Sequence, residues 1–204
     1  MKIITIRFNT NIIRTIYSLI YVKIFKNVNL NFFSNLEKKK FEYKFNLKKN
    51  DVLVKTLLCG YCGTDKKIIT FDMSIFISAF LDKQKKKKKM IYLGHEIVGQ
   101  VVAKGRNVKK IKLNDKVILD SVSRNLKYEK NNIFGGFTNY FVKSESQLEV
   151  INKKLPDEKA ILIEPLACSL GAIKKISIKK NDKILIIGAG VIGQGIMHLL
   201  RHFY

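Results

Sequence analysis

Residues 183–195 constrain the fold of this chain more tightly than any other stretch. The apolar run Lys183-Ile-Leu-Ile-Ile187 leads straight into Gly188-Ala-Gly190-Val-Ile-Gly193, and a helix-compatible segment follows. A run of this kind predicts a strand buried on both faces of a parallel sheet. A lone G-x-G-x-x-G is weak evidence, but here an apolar strand enters the loop and a helix leaves it, which is the demanding context. Gly188 would permit the tight turn, and Gly190 would let the backbone approach a pyrophosphate. Gly193 would let helix and strand pack closely, while Val191 and Ile192 open the helix whose N-terminus faces the phosphates.

The chain before this point reads differently. Residues 51–58 are β-branched and apolar and predict a strand, entered from the polar Lys48-Lys49-Asn50. Further strands are predicted over 97–103, over 116–119 after an Asn114-Asp115 turn, and over 137–142 after Gly135-Gly136. Short strands joined by glycine turns point to a compact β-barrel-like domain. Residues 66–90 predict a loop with a possible short helix, and Pro156-Asp-Glu opens a helical stretch reaching residue 176. The expected organisation is a β-rich domain over 1–155, with 1–50 poorly defined and a lysine-rich loop over 82–90. A connecting helical segment follows over 156–180, then the first strand and partial helix of an α/β domain over 181–204.

The net charge of +23 raises the question of nucleic acid or an anionic membrane. The lysines do not gather into one stripe with interleaved aromatics, so they read as scattered solvated positions. No nucleic-acid or membrane partner is expected. Arg14 and Lys23 interrupt the apolar N-terminal runs, leaving them too short to span a bilayer. With three cysteines, Cys59, Cys62 and Cys168, and no visible secretory signal, a disulfide framework is not expected. The default reading is a cytoplasmic protein.

Cys59-Gly-Tyr-Cys62 has three readings: a redox dithiol, half of a four-cysteine zinc site, or a single thiolate ligand completed by distant residues. A redox dithiol wants its first cysteine at a helix N-terminus, whereas this pair comes off a strand. No second C-x-x-C is present. Gly94-His95-Glu96 sets an imidazole beside a carboxylate just ahead of a strand, aiming both at one point. Glu164 stands in the apolar stretch Ala160-Ile-Leu-Ile-Glu-Pro-Leu-Ala167, where a carboxylate is either buried at a cost or matched to a cation. Thiolate, imidazole and carboxylate form a sensible donor set for zinc.

Five motifs then occur in one order: Cys59-Gly-Tyr-Cys-Gly-Thr-Asp65, Gly94-His-Glu96, Gly135-Gly-Phe-Thr-Asn-Tyr140, Ile163-Glu-Pro-Leu-Ala167 and Gly188-Ala-Gly-Val-Ile-Gly193. As a set they resemble the zinc-dependent medium-chain alcohol and polyol dehydrogenases. The resemblance implies a mixed α+β architecture, a GroES-like β-barrel-type domain followed by the start of a Rossmann domain. It also implies an oxidoreductase moving hydride between an alcohol, polyol or sugar hydroxyl and NAD or NADP. By the same resemblance Cys62 and His95 would ligate zinc, with Glu96 and Glu164 sharing the remaining role. Asp65 would orient His95 from behind, fixing its tautomer, Thr64 would relay the substrate proton, and Cys59 would not be a ligand.

The pattern departs from the family in three places. Lys66 and Lys67 stand where a relay histidine is often found. The stretch from Lys116 to Gly135 has no cysteine, so one catalytic zinc and no structural zinc are expected. The acidic residue expected about 20 residues beyond the glycines would lie past Tyr204, so the chain reads as a truncated form, with homo-oligomers expected of a full-length protein. The alternatives are a non-catalytic remnant that keeps a zinc-binding GroES-like fold and, on charge alone, a basic nucleic-acid-binding module.

Overall fold

The β-branched residues after Asn50 set the frame. Val52 and Val54 turn inward from β3 (Asp51–Cys59), which pairs antiparallel with β5 (Ile97–Lys104) on one side and β7 (Tyr140–Ser144) on the other. The computed structural model describes residues 1–9, 36–69, 90–120, 135–179 and 181–203. Two further strands, β6 (Lys116–Leu119) and β8 (Leu148–Ile151), complete a five-stranded antiparallel sheet in the order β7-β3-β5-β6-β8. A second sheet, ordered β2-β1-β4, joins β1 (Lys2–Asn9), β2 (Leu36–Glu42) and β4 (Met90–Tyr92).

Successive residues point to opposite faces of a strand, and both faces of the larger sheet are used. Ile97 and Val101 of β5 join Ile3, Val52, Val54, Val117, Phe141 and Leu148 in one core. Val98, from the other face of β5, packs with Ile118 and Ala160 beneath the helices. The two sheets are tied at Asn139, whose side chain accepts from Ile4 N at 2.9 Å and donates to Lys2 O at 2.9 Å. Asn114 takes a left-handed φ of 64° at the expected turn, and the Asp115 carboxylate accepts from Lys112 N at 2.8 Å.

Four expectations are corrected in detail. The predicted strand over 137–142 begins only at Tyr140, because Phe137 O and Thr138 are taken up by β1. The short helix α1 (Gly63–Ile69) starts directly after Cys62, while the lysine run lies outside the described residues. The helical stretch is broken into α2 (Asp157–Ala160) and α3 (Ile163–Ile173). Pro165 explains the break. Its ring would clash with the carbonyl of Ile161 in a continuous helix, whereas in the first turn of a new helix its missing N–H costs nothing.

The fourth correction concerns residues 183–187, which form no strand in the structure. A strand of a parallel sheet is held by neighbours on both edges, and none is present among the described residues. Leu185 is 84% exposed and Ile187 91% exposed. The helix beyond the glycines does form, as α4 (Val191–Phe203), and it packs on α3. Ser169 makes that packing close: its Oγ donates to Pro165 O at 2.9 Å and lies 3.2 Å from Ile192 O, directly against Gly195. Among the described residues, no helix is long and apolar enough to cross a membrane.

Candidate metal centre

β3 and β5 run side by side until Cys59 pairs with Ile97, and both chains leave the sheet there. The residues just outside the ladder are Gly60, Tyr61 and Cys62 on one chain and Gly94, His95 and Glu96 on the other. Asp65 clamps the two segments. It is 2% exposed; its Oδ2 accepts from Cys62 N at 3.1 Å and its Oδ1 from Gly94 N at 2.9 Å. Gly94 has a φ of +84°, a conformation that L side chains rarely adopt. The turn therefore carries His95 and Glu96 back towards Cys62.

The outcome is a convergent triad. Cys62 Sγ, a ring nitrogen of His95 and a carboxylate oxygen of Glu96 all lie within 4.8 Å of one another. Glu96 is buried, while Cys62 and His95 are half-buried. Burial raises the Cys62 pKa and the Glu96 carboxylate pushes the same way, against the Thr64 amide and hydroxyl, which favour the thiolate. Thr64 Oγ1 lies 3.8 Å from Cys62 Sγ on the exposed side.

Each site residue of the sequence reading now has a place. Cys62, His95 and Glu96 are brought together, with Thr64 beside them. Glu164 is not part of the triad. It sits in the first turn of α3, where its Oε1 accepts from Cys168 Sγ at 3.8 Å. Asp65 is buried next to the triad, but both of its oxygens serve backbone amides rather than the His95 imidazole. Its hold on the His95 segment is through the main chain at Gly94.

Cys59 is the other half of C-x-x-C, and its thiol is wedged against Gly94 and Gly136. Burial, aided by the charges of Asp65 and Glu96, pushes its pKa up to about 12. Among the described residues this thiol lies outside the group of donors formed by Cys62, His95 and Glu96. Cys168 was given no role by its sequence context. Its i, i+4 spacing from Glu164 on a helix is the signal that pairs the two. Burial raises the Cys168 pKa, followed by Glu164 and then the charges of Cys62 and Glu96.

At the glycine loop, Gly188 has a φ of +104°, and a side chain on Gly193 would overlap the Gly188 carbonyl. Gly190 opens onto free space. Val191 and Ile192 begin α4 and are exposed. The tight turn expected of Gly188 is present ahead of the helix, whereas the close contact of Gly193, in the first turn of that helix, is with the Gly188 carbonyl and not with a strand.

Residues 48–154, more than half of the chain, match the family model of the alcohol dehydrogenase GroES-like domain. The chain belongs to that family. It is 30% identical over 168 residues to D-arabinitol dehydrogenase 1 of Uromyces fabae, covering 74% of this chain and 44% of that protein. With (R,R)-butanediol dehydrogenase of Bacillus subtilis (strain 168) it shares 28% identity over 166 residues, covering 74% of this chain and 47% of the relative. This GroES-like chain thus spans less than half the length of these curated relatives.

The fold agrees with solved structures. The crystal structure of 2R,3R-butanediol dehydrogenase from Bacillus subtilis superposes with a TM-score of 0.68 at 20% identity, covering 98% of this chain and 55% of that one. A zinc-binding dehydrogenase from Sinorhizobium meliloti 1021 bound to NADP gives 0.69 at 22% identity, covering 99% and 54%. The architecture is a GroES-like domain followed by the beginning of a Rossmann-like fold.

Proposed function

We propose that this chain carries the catalytic domain of a zinc- and NAD(P)-dependent oxidoreductase that moves hydride between an alcohol, polyol or sugar hydroxyl and the nicotinamide. The observation that carries this reading is the convergence of Cys62, His95 and Glu96 within 4.8 Å at the open end of the β3–β5 ladder. The names of the relatives, an arabinitol and a butanediol dehydrogenase, favour a substrate with neighbouring hydroxyls.

The donor set fits zinc. Thiolate, imidazole and carboxylate are its usual ligands, and three protein donors leave one position open, as a catalytic site requires. Cys62, His95 and Glu96 would hold the ion, with Glu164 facing it from α3 as partner of the open position. Zinc in such a site acts as a Lewis acid and lowers the pKa of a bound hydroxyl towards about 7. The chain's own residues supply the rest. Glu96 is buried and excludes water from one side of the centre. Thr64, exposed beside Cys62, takes the substrate proton and hands it outward to solvent, past Lys66 and Lys67. The loop Gly188, Gly190 and Gly193, with Val191 and Ile192, offers backbone N–H groups to the pyrophosphate of NAD or NADP. One catalytic zinc and no structural zinc are proposed, since no cysteine lies between Lys116 and Gly135.

The test is metal analysis of the purified chain. One zinc per chain is expected, abolished by Cys62→Ser and retained by Cys59→Ser. The reverse pattern, or no zinc in the parent protein, would overturn the assignment.

A further inference from the structure

Gly60 and Glu96 face each other immediately beyond the last rung of the β3–β5 ladder. The Gly60 amide donates to Glu96 O at 2.9 Å, so the two backbones stay paired there. Facing residues on antiparallel strands usually keep their Cβ atoms about 4.5–5.5 Å apart. A Cβ placed on Gly60 would lie only 3.1 Å from Glu96 Cβ and 3.3 Å from its Cδ, and it would overlap Oε2. The Glu96 side chain therefore lies across the Cα of Gly60, in the volume that any other residue would fill with its own side chain.

Backbone conformation does not account for this glycine. The described glycines with positive φ are Gly94 and Gly188, and Gly60 is not among them. What position 60 supplies is room. The tightest overlap is with the far end of a flexible side chain, so a methyl group there would chiefly displace the carboxylate, while the 3.1 Å contact with Glu96 Cβ asks the paired backbones to give by a few tenths of an ångström.

We propose that Gly60 is a positioning residue of the metal centre, the empty volume at its Cα being what brings the Glu96 carboxylate to Cys62 and His95. It also bears on which carboxylate completes the triad. Glu96 reaches it because nothing stands in its way, whereas Glu164 is held on α3 against Cys168. The inference rests on the proposed zinc centre.

A double-mutant cycle of Gly60→Ala and Glu96→Ala tests it, with zinc affinity measured by competition against a chromophoric chelator. Gly60→Ala should lose about 10–100-fold in affinity, the range found when the support of a metal ligand is removed, and Glu96→Ala, which removes the ligand itself, at least as much. The double variant should lose no more than Glu96→Ala alone, because Gly60 acts only through that carboxylate. The melting temperature of the metal-free proteins gives a second reading. Gly60→Ala should lower it when Glu96 is present and less in the Glu96→Ala background, where Oε2 and Cδ are gone and only the 3.1 Å contact with the Cβ of residue 96 remains. Additive affinity losses, parent-like affinity in Gly60→Ala, or an equal melting penalty in both backgrounds would each overturn the proposal. A parent protein that binds no zinc would instead overturn the zinc centre itself.

Discussion

Cys59 and Cys62 stand three residues apart where β3 ends, and burial separates their chemistry. Cys59 is packed between two glycines and its pKa is raised from 9.0 to about 12, while Cys62 is half-exposed with Thr64 beside its sulfur. At pH 8 the thiolate fraction of Cys59 is about 10⁻⁴, and thiolate is the form that alkylates. Iodoacetamide should therefore label Cys62 and Cys168 of the metal-free protein well before Cys59, with peptide mass mapping as the readout. Equal rates would show that the Cys59 pocket is open. The sign for stability follows. Folding holds this thiol protonated, so its contribution is intact below about pH 9 and is lost as pH rises towards about 12. The candidate donors were legible in the sequence because thiolate, imidazole and carboxylate are residue types that zinc takes. Which carboxylate lies beside Cys62 and His95 was not, since that depends on the packing of Glu96 over Gly60 and on the placement of α3.

At the level of elements, strands with alternating burial were readable from their β-branched residues, and β3, β5 and β6 lie where the sequence predicts them. β1 was harder. Ile3 and Thr5 turn inward while Ile4 and Ile6 are 39% exposed, so hydrophobicity alone does not reveal the buried face. The run 183–187 was misread for a related reason: its residues suit a buried strand, but pairing is a property of neighbours and not of one segment. Loops can be held as firmly as strands. The carboxylate of Glu145, from the single helical turn Glu145–Gln147, accepts from the amides of Lys109, Lys110 and Ile111. Replacing it by alanine strands up to three donors. Glu145→Ala should lower stability by about 1–3 kcal/mol in urea denaturation, and Glu145→Gln by less. An unchanged midpoint for the alanine variant would mean that water satisfies those amides equally well.

For the molecule as a whole, the larger sheet carries both cores, and the candidate metal centre hangs from one end of two of its strands. The family and the two-part architecture were legible because five motifs keep their order along the chain. The expected helix across 156–176 breaks at Ile161 and Leu162, just ahead of Pro165, a local signal outweighed by the apolar pattern around it. The clamp made by Asp65 then bears on the order of events in biogenesis. Its two hydrogen bonds join segments 29 residues apart using only backbone donors, so in the proposed zinc centre the conformational entropy of gathering the loops of Cys62 and Gly94 would be spent during folding and not during metal uptake. Chelator-treated protein should keep its far-UV circular dichroism and melt cooperatively, with zinc raising the midpoint afterwards. A chain that gains a cooperative melt only when zinc is added would show the opposite order. In a cell the first order would let the domain ripen without metal at hand, take up a zinc ion as a late step, and lose it again without losing its shape.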